Sequence, residues 1–146
     1  MTILHRFGSE PVDLPRLHAL LQDTYWAKGR PLAQVERTVR NSFCISAWYL
    51  GSGPETMVGF ARLVTDFAVH AYLADVIVDP AWRGQGVGSG MVRRLISHEA
   101  VATCKITLHT KDAHGVYRPM GFQDFPSMLR RTCRPWPGTE PLPGWR

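Results

Sequence analysis

Cysteine is scarce in this chain: Cys44, Cys104 and Cys133 are the only three in 146 residues, odd in number and far apart. A disulfide framework needs an even, closely spaced set, and zinc or redox work needs a C-x-x-C pair; neither is present. No apolar run approaches the roughly 18–20 residues of a membrane span. The start, MTILHRFGSE, lacks the continuous apolar stretch of a signal peptide. These absences predict a soluble cytoplasmic protein with no membrane partner and no metal. Long basic runs are missing as well. The net charge is +5, yet the basic pairs Arg93-Arg94 and Arg130-Arg131 are short and no nucleic-acid module accompanies them. Scattered solvated charge with one anion pocket fits this pattern better than a nucleic-acid partner. No internal repeat is visible.

What is present suits one domain over residues 1–146, with 45% hydrophobic residues to build a core. Residues 12–26 carry Leu14, Leu17, Leu20, Leu21 and Tyr25 near helical spacing, with Asp13 as N-cap and Pro15 in the first turn. Residues 32–42 read as a second helix. Residues 43–50 and 56–67, joined by the turn 51–54, read as two antiparallel strands, and 71–78 as a third, central one. A helix is expected from about 87 to 98, its apolar face made by Val87, Met91 and Leu95 with Val92 and Ile96 beside them. A strand at 104–110 follows, then a short helix at 112–122 broken by Pro119 and Gly121, then a last strand at 127–134. Residues 135–146 hold four prolines and read as an irregular tail that wraps the surface or a partner. Helices at the front, a meander of strands, then strand–helix–strand–helix give a mixed α/β domain round one central sheet.

The stretch VDPAWRGQGVGSGMV, residues 78–92, places Gly84, Gly86, Gly88 and Gly90 where a helix begins. It is not a P-loop: Gly84 is followed five residues later by Ser89, and no lysine occurs in the stretch. It is not the dinucleotide fingerprint either, because Gly86-x-Gly88 is followed by Met91 and Gly84-x-Gly86 by Ser89. Its spacing does leave a bare helix N-terminus, where unpaired N–H groups carry roughly +0.5 charge. Glycines strip away the side chains that would hold a bulky anion off, at about 1 kcal/mol for each interior glycine. The product is a nest for phosphate groups, with Arg83 adding charge at its edge. Tight packing of helix on sheet is the alternative use of the same glycines.

Residues Arg83-Gly84-Gln85-Gly86-Val87-Gly88 match the pattern Q/R-x-x-G-x-G/A, and VYRPMGF, with Tyr117, Gly121 and Phe122, matches Y-x-x-x-G-F about thirty residues later. In that order the two motifs resemble the GNAT superfamily of N-acetyltransferases. The resemblance implies a mostly antiparallel, twisted sheet flanked by helices, whose fourth and fifth strands splay apart; here these are 71–78 and 104–110. Acetyl-CoA would lie in the gap. Backbone groups of Val76, Ile77 and Val78 would pair with its pantetheine arm. N–H groups of Arg83, Gly84, Gln85, Gly86, Val87, Gly88 and Ser89 would hold its pyrophosphate. The implied reaction is acetyl transfer to a primary amine of a small molecule or protein, by direct attack in a ternary complex. A non-catalytic acyl-CoA-binding sensor keeps the same fold and ligand.

An alkyl amine has a pKa near 10, so about one molecule in a thousand is nucleophilic at pH 7, a handicap of about 4 kcal/mol. A base should take the amine's proton and an acid should protonate the leaving thiolate. Tyr117 stands where many family members place that acid. Asp75, acidic inside an apolar strand, is the candidate base; alternation puts Leu73, Asp75 and Ile77 on one face and Ala74, Val76 and Val78 on the other. A hydrogen bond to Arg62 across the sheet is its alternative role. Asp112, by the family's pattern, and His114 are candidates for cofactor contacts, with helix capping the alternative for Asp112. His109 and His114 are five apart with no third ligand, which argues against a metal. Tyr25 and Trp26 are expected to line the acceptor pocket, and Arg62 and Asp66 to contact a charged substrate. A homodimer is left open.

Overall fold

The computed structural model describes residues 2–131 together with Trp136. Cys133 and the proposed tail, Trp136 apart, lie outside the described residues. The sheet has five strands in the order β1-β2-β3-β4-β5, being β1 Thr2–Phe7, β2 Phe43–Leu50, β3 Thr56–Thr65, β4 His70–Val78 and β5 Lys105–Thr107. The first four run antiparallel and β5 joins β4 in parallel. This is the single mixed α/β layer system expected.

The chain opens with a strand and not with helices. TILHRF is too short and too polar at His5 and Arg6 to announce itself, and it forms because β2 offers it a partner, Ile3 opposite Tyr49 and His5 opposite Ala47. Helix α1, Leu14–Leu21, starts where Asp13 accepts from the Arg16 N–H at 3.1 Å. It stops well short of Trp26. The Thr24 hydroxyl donates to the Leu21 carbonyl at 2.7 Å, and turns carry the chain to Gly29 and Pro31. Helix α2, Leu32–Arg40, then buries Val35 and Val39.

The sheet separates two apolar clusters. Leu17, Leu21, Val35 and Val39 of α1 and α2 meet Phe60 and Ile77 on one face. Met91, Val92 and Leu95 of α3, Val87–Ile96, meet Val58, Ala61 and Leu63 on the other. Each fully buried side chain of this size contributes about 1.5–3 kcal/mol, so both faces are firmly covered and the site falls at their shared edge.

Two irregularities shape that edge. Phe60 pairs with Ile77 and Arg62 with Ala74, so β4 spends one extra residue on the step. Asp75 sits in this bulge at φ 52, a left-handed backbone for a non-glycine. The simple alternation predicted for β4 therefore fails: Leu73 packs toward α3 while Ile77 packs toward α1 and α2. The second irregularity is that β4 and β5 pair only at His70–Lys105, Ala71–Ile106 and Tyr72–Thr107. The strand expected at 104–110 shrinks to three residues, and β4 from Leu73 to Val78 has no β5 partner. The last strand expected at 127–134 is absent from 127–131, which carry no regular structure; the rest of it lies outside the described residues. The closing helix is likewise short: α4, His114–Tyr117, runs into a 3-10 turn, Arg118–Met120, and ends at Gly121.

Candidate functional site

At the end of β4, Asp79 caps a 3-10 turn, Pro80–Trp82, by accepting from the Ala81 N–H at 2.8 Å, and its other oxygen takes the Arg16 guanidinium. The chain then enters α3 through Gly86, the N-cap residue, at φ 81. A side chain there would be strained, which is the physical reason for glycine at this point. No side chain caps α3 and its first turn holds no acidic residue, so its N–H groups stay open to an anion. Gly88 answers the packing alternative: a Cβ there would lie 3.3 Å from Val78 Cγ2, so this glycine lets the helix approach β4. Gly86 thus answers a backbone requirement and Gly88 a packing one.

A hollow of about 330 Å³ opens at this helix start. It brings together Val76 and Val78 of β4, Arg83, Gly84, Gly86, Val87, Gly88 and Ser89 of the glycine stretch, and Tyr117 of α4. Ile77 turns its side chain to the opposite face, leaving only its backbone on this edge. The Gln85 side chain folds back toward the Ala81 carbonyl at 3.4 Å. Asp112 and His114 do not line the hollow. Nor does Asp112 cap α4: the helix starts at His114 and the preceding turn closes on Thr110, whose hydroxyl accepts from the Ala113 N–H at 3.0 Å. A larger hollow of about 1070 Å³ runs along the outer edge of β5, between the end of α3 and residues 120–127, and holds none of the four glycines. The glycine stretch borders only the smaller of these two hollows. Tyr117 borders both hollows and packs edge to face on Phe122, centroids 5.8 Å apart. Burial pushes its phenol up, so it stays protonated through the neutral range.

On the α1–α2 face of the same edge, Asp75 is buried, with a side chain 2% exposed. Its Oδ1 accepts from the Trp26 ring N–H at 3.1 Å, and its Oδ2 from Arg30 and from Arg62 Nε, both at 2.8 Å. Burial alone would raise this carboxyl, but the Arg62 and Arg30 guanidiniums outweigh it and hold it below the usual range. Arg62 also donates to the Ser42 hydroxyl at 3.0 Å. Sequence reasoning missed Arg30. A carboxylate in an apolar strand demands cationic partners, but only the fold reveals that one comes from a turn before Pro31. Tyr25 and Trp26 stand on that turn, T-shaped and 61% and 43% exposed, with Lys111 Nζ 4.5 Å from the Tyr25 ring. Asp66 is not brought to this group. Its Oδ1 accepts three backbone N–H groups, from Ala68, Val69 and His70, and shapes the β3–β4 hairpin. Those bonds lower its pKa to about 2. This hairpin is the zipped end of the β4–β5 pair, away from the splay. Sequence reasoning also passed over Tyr72, whose hydroxyl lies 3.1 Å from His109 Nδ1 just where the strands part.

Among the described residues no helix is long and apolar enough to cross a membrane. Comparison with known proteins gives a consistent result. The profile of the Acetyltransferase (GNAT) family matches residues 14–122. The histone acetyltransferase TAP1 of Glycine max is 31% identical over 93 residues, which is 58% of this chain but 40% of that protein. An N-acetyltransferase of Pyropia yezoensis, the uncharacterized ycf52, is 32% identical over 79% of this chain and 67% of its own length. A crystal structure from Xanthomonas campestris pv. campestris, described as belonging to the GNAT family, superposes with a TM-score of 0.82 at 32% identity, covering 90% of this chain and 94% of that one. The chain spans less than half the length of the first curated relatives it matches, and it belongs to the acetyltransferase (GNAT) family.

Proposed function

We propose that the chain transfers an acetyl group from acetyl-CoA to a primary amine, by direct attack while both substrates are bound. The observation that carries this reading is the uncapped α3 N-terminus, opened by Gly86 and bordered by Arg83, beside the unpaired edge of β4 and under Tyr117. N–H groups from Arg83 to Ser89 hold the pyrophosphate, because a doubly charged group suits both the open donors and the helix dipole. The backbone of Val76, Ile77 and Val78 pairs with the amides of the pantetheine arm as a further strand would. That lays the thioester at the splay, with Tyr117 near the sulfur.

Chemistry at the thioester then needs two proton transfers. The leaving thiolate takes its proton from Tyr117, which burial keeps in the acid form. Asp75 we read as an anchor and not as the base. Its two oxygens already accept three hydrogen bonds, and a carboxylate held below its usual range is a weak proton acceptor. With Arg62 it fastens the turn bearing Tyr25, Trp26 and Arg30 to β4, and that turn forms the wall against which the acceptor lies. Asp66, Asp112 and His114 have no part in this reading. The chain spans 40% of the plant histone acetyltransferase, so that protein's histone acceptor is not carried over.

The test is a screen of amines, amino acids, polyamines and short peptides with acetyl-CoA, followed by thiol release, alongside calorimetric titration of CoA. Turnover of at least one amine with saturable CoA binding is expected. Binding without turnover of any acceptor overturns the transfer and leaves the sensor reading.

A further inference from the structure

We propose that Tyr72 and His109 form the path by which the attacking amine loses its proton, with Tyr72 touching the amine and His109 positioned behind it. The proposal rests on the reading of the site as an amine acetyltransferase.

The pair is built by the fold alone, from residues 37 apart in sequence. Tyr72 Oη lies 3.1 Å from His109 Nδ1, with ring centroids 5.4 Å apart and planes inclined at 51°. Tyr72 is the last residue of β4 paired with β5, opposite Thr107. The strands separate immediately beyond it, so the phenol stands at the mouth of the splay. Its direction follows from its neighbours. Ala71 and Leu73 pack toward α3, which turns Tyr72 to the α1–α2 face, the face of Arg62 and the Asp75 carboxylate. Ile106 and Leu108 also pack toward α3, which turns His109 the same way. Tyr117 lies on the α3 side with the glycine cradle. Tyr72 and Tyr117 thus stand on opposite faces of the sheet edge, so the amine's proton and the thiolate's proton travel through separate groups.

The protonation states fit. Burial pushes the Tyr72 phenol up; the nearby Arg62 opposes this and the Asp75 charge adds to it. A neutral phenol donates to Nδ1, which leaves the ring proton of His109 on Nε2, 3.4 Å from the Ser127 hydroxyl. As the neutral amine attacks, its nitrogen bonds to the acetyl carbonyl carbon and one N–H proton passes to Tyr72 Oη. Tyr72 passes its own proton to His109 Nδ1 in the same motion. The C–S bond breaks and the thiolate takes the proton of Tyr117. Tyr72 ends unchanged, His109 ends as an imidazolium that returns its proton to water, and Tyr117 regains one from water. An imidazole is suited to hold a proton briefly near neutral pH, which the anchored Asp75 is not.

The test compares wild type with Tyr72→Phe, His109→Gln and His109→Ala, using acetyl-CoA and the best amine from the screen. Both Tyr72→Phe and His109→Gln are expected to lower kcat by about 10²-fold, with the KM for acetyl-CoA and the calorimetric affinity for CoA unchanged. Added imidazole is expected to restore part of the rate of His109→Ala and none of that of Tyr72→Phe. An active wild type whose variants stay within about twofold overturns the relay and leaves the transferase reading standing. Lost rate with no imidazole rescue and weakened CoA binding overturns it in favour of a packing role. A wild type that binds CoA and acetylates no amine overturns both.

Discussion

Arg30 and Asp75, 45 residues apart in the chain, meet at 2.8 Å and join the turn between α1 and α2 to the bulge of β4. Arg62 completes the group from β3 at the same distance and Trp26 from the turn itself. One buried carboxylate so ties β3, β4 and the turn between α1 and α2 together.

Removing that carboxylate leaves two guanidiniums without their shared partner. Asp75→Asn is expected to cost about 3–5 kcal/mol of stability, read by urea denaturation at pH 7. The folded carboxyl lies below its unfolded value, so its contribution is present above the unfolded pKa of about 3.9 and is lost as pH falls through the lower folded value. The gap between wild type and Asp75→Asn should therefore narrow in acid, below about pH 4.

Gly86→Ala puts a side chain on a backbone at φ 81, at the entrance to the cradle. A cost of about 1–2 kcal/mol in folding is expected, together with a loss of CoA affinity of about tenfold or more. Gly90→Ala is the contrast. It lies within α3 with open space at its Cβ, so stability should rise by about 0.5–1 kcal/mol and CoA affinity should hold. Calorimetry and thermal melts read both.

Tyr117→Phe is expected to lower kcat by about 10²-fold or more while leaving CoA affinity near that of wild type. The acid must be protonated, and its phenol is raised above the ordinary value of 10.0. The limb of the wild-type pH–rate profile due to Tyr117 should accordingly fall only above pH 10, and steady-state thiol release across the alkaline range would show it.

Asp66→Ala should destabilise the β3–β4 hairpin and leave CoA binding intact, since its carboxylate serves three backbone donors at the closed end of the sheet. Its folded pKa of about 2 lies below the ordinary carboxyl value of 3.8. Its stabilisation is present above that unfolded value and is lost as pH falls toward 2. Melting temperatures of wild type and variant should converge across that window.

The open start of α3 is legible in the sequence because its geometry is local. Gly86 and Gly88 act within one turn, and the apolar face of α3 follows from spacing that a helix imposes on any chain. Helix α1 is legible at its start, where Asp13 caps it, and not at its end. The residues from Gln22 to Trp26 keep a helical composition, while Thr24 and Gly29 divert the backbone. Strand β1 stays hidden because an edge strand takes its stability from its neighbour. The grouping of Leu73 with Asp75 and Ile77 is misread for a similar reason: a bulge is a property of two strands in register, and period-two counting on one strand cannot contain it. Arg30, Tyr72 and His109 find their partners only across 37 to 45 residues of chain, which local reading does not reach.

The seat of the coenzyme A diphosphate decides between the glycine-lined hollow and any other site. A crystal structure of the chain with CoA bound tests it directly. The prediction is pyrophosphate oxygens within hydrogen-bonding distance of the N–H groups between Arg83 and Ser89, and pantetheine along β4 from Val76 to Val78. A cofactor lodged elsewhere, for instance in the groove beside β5 with the α3 N-terminus empty, would contradict it.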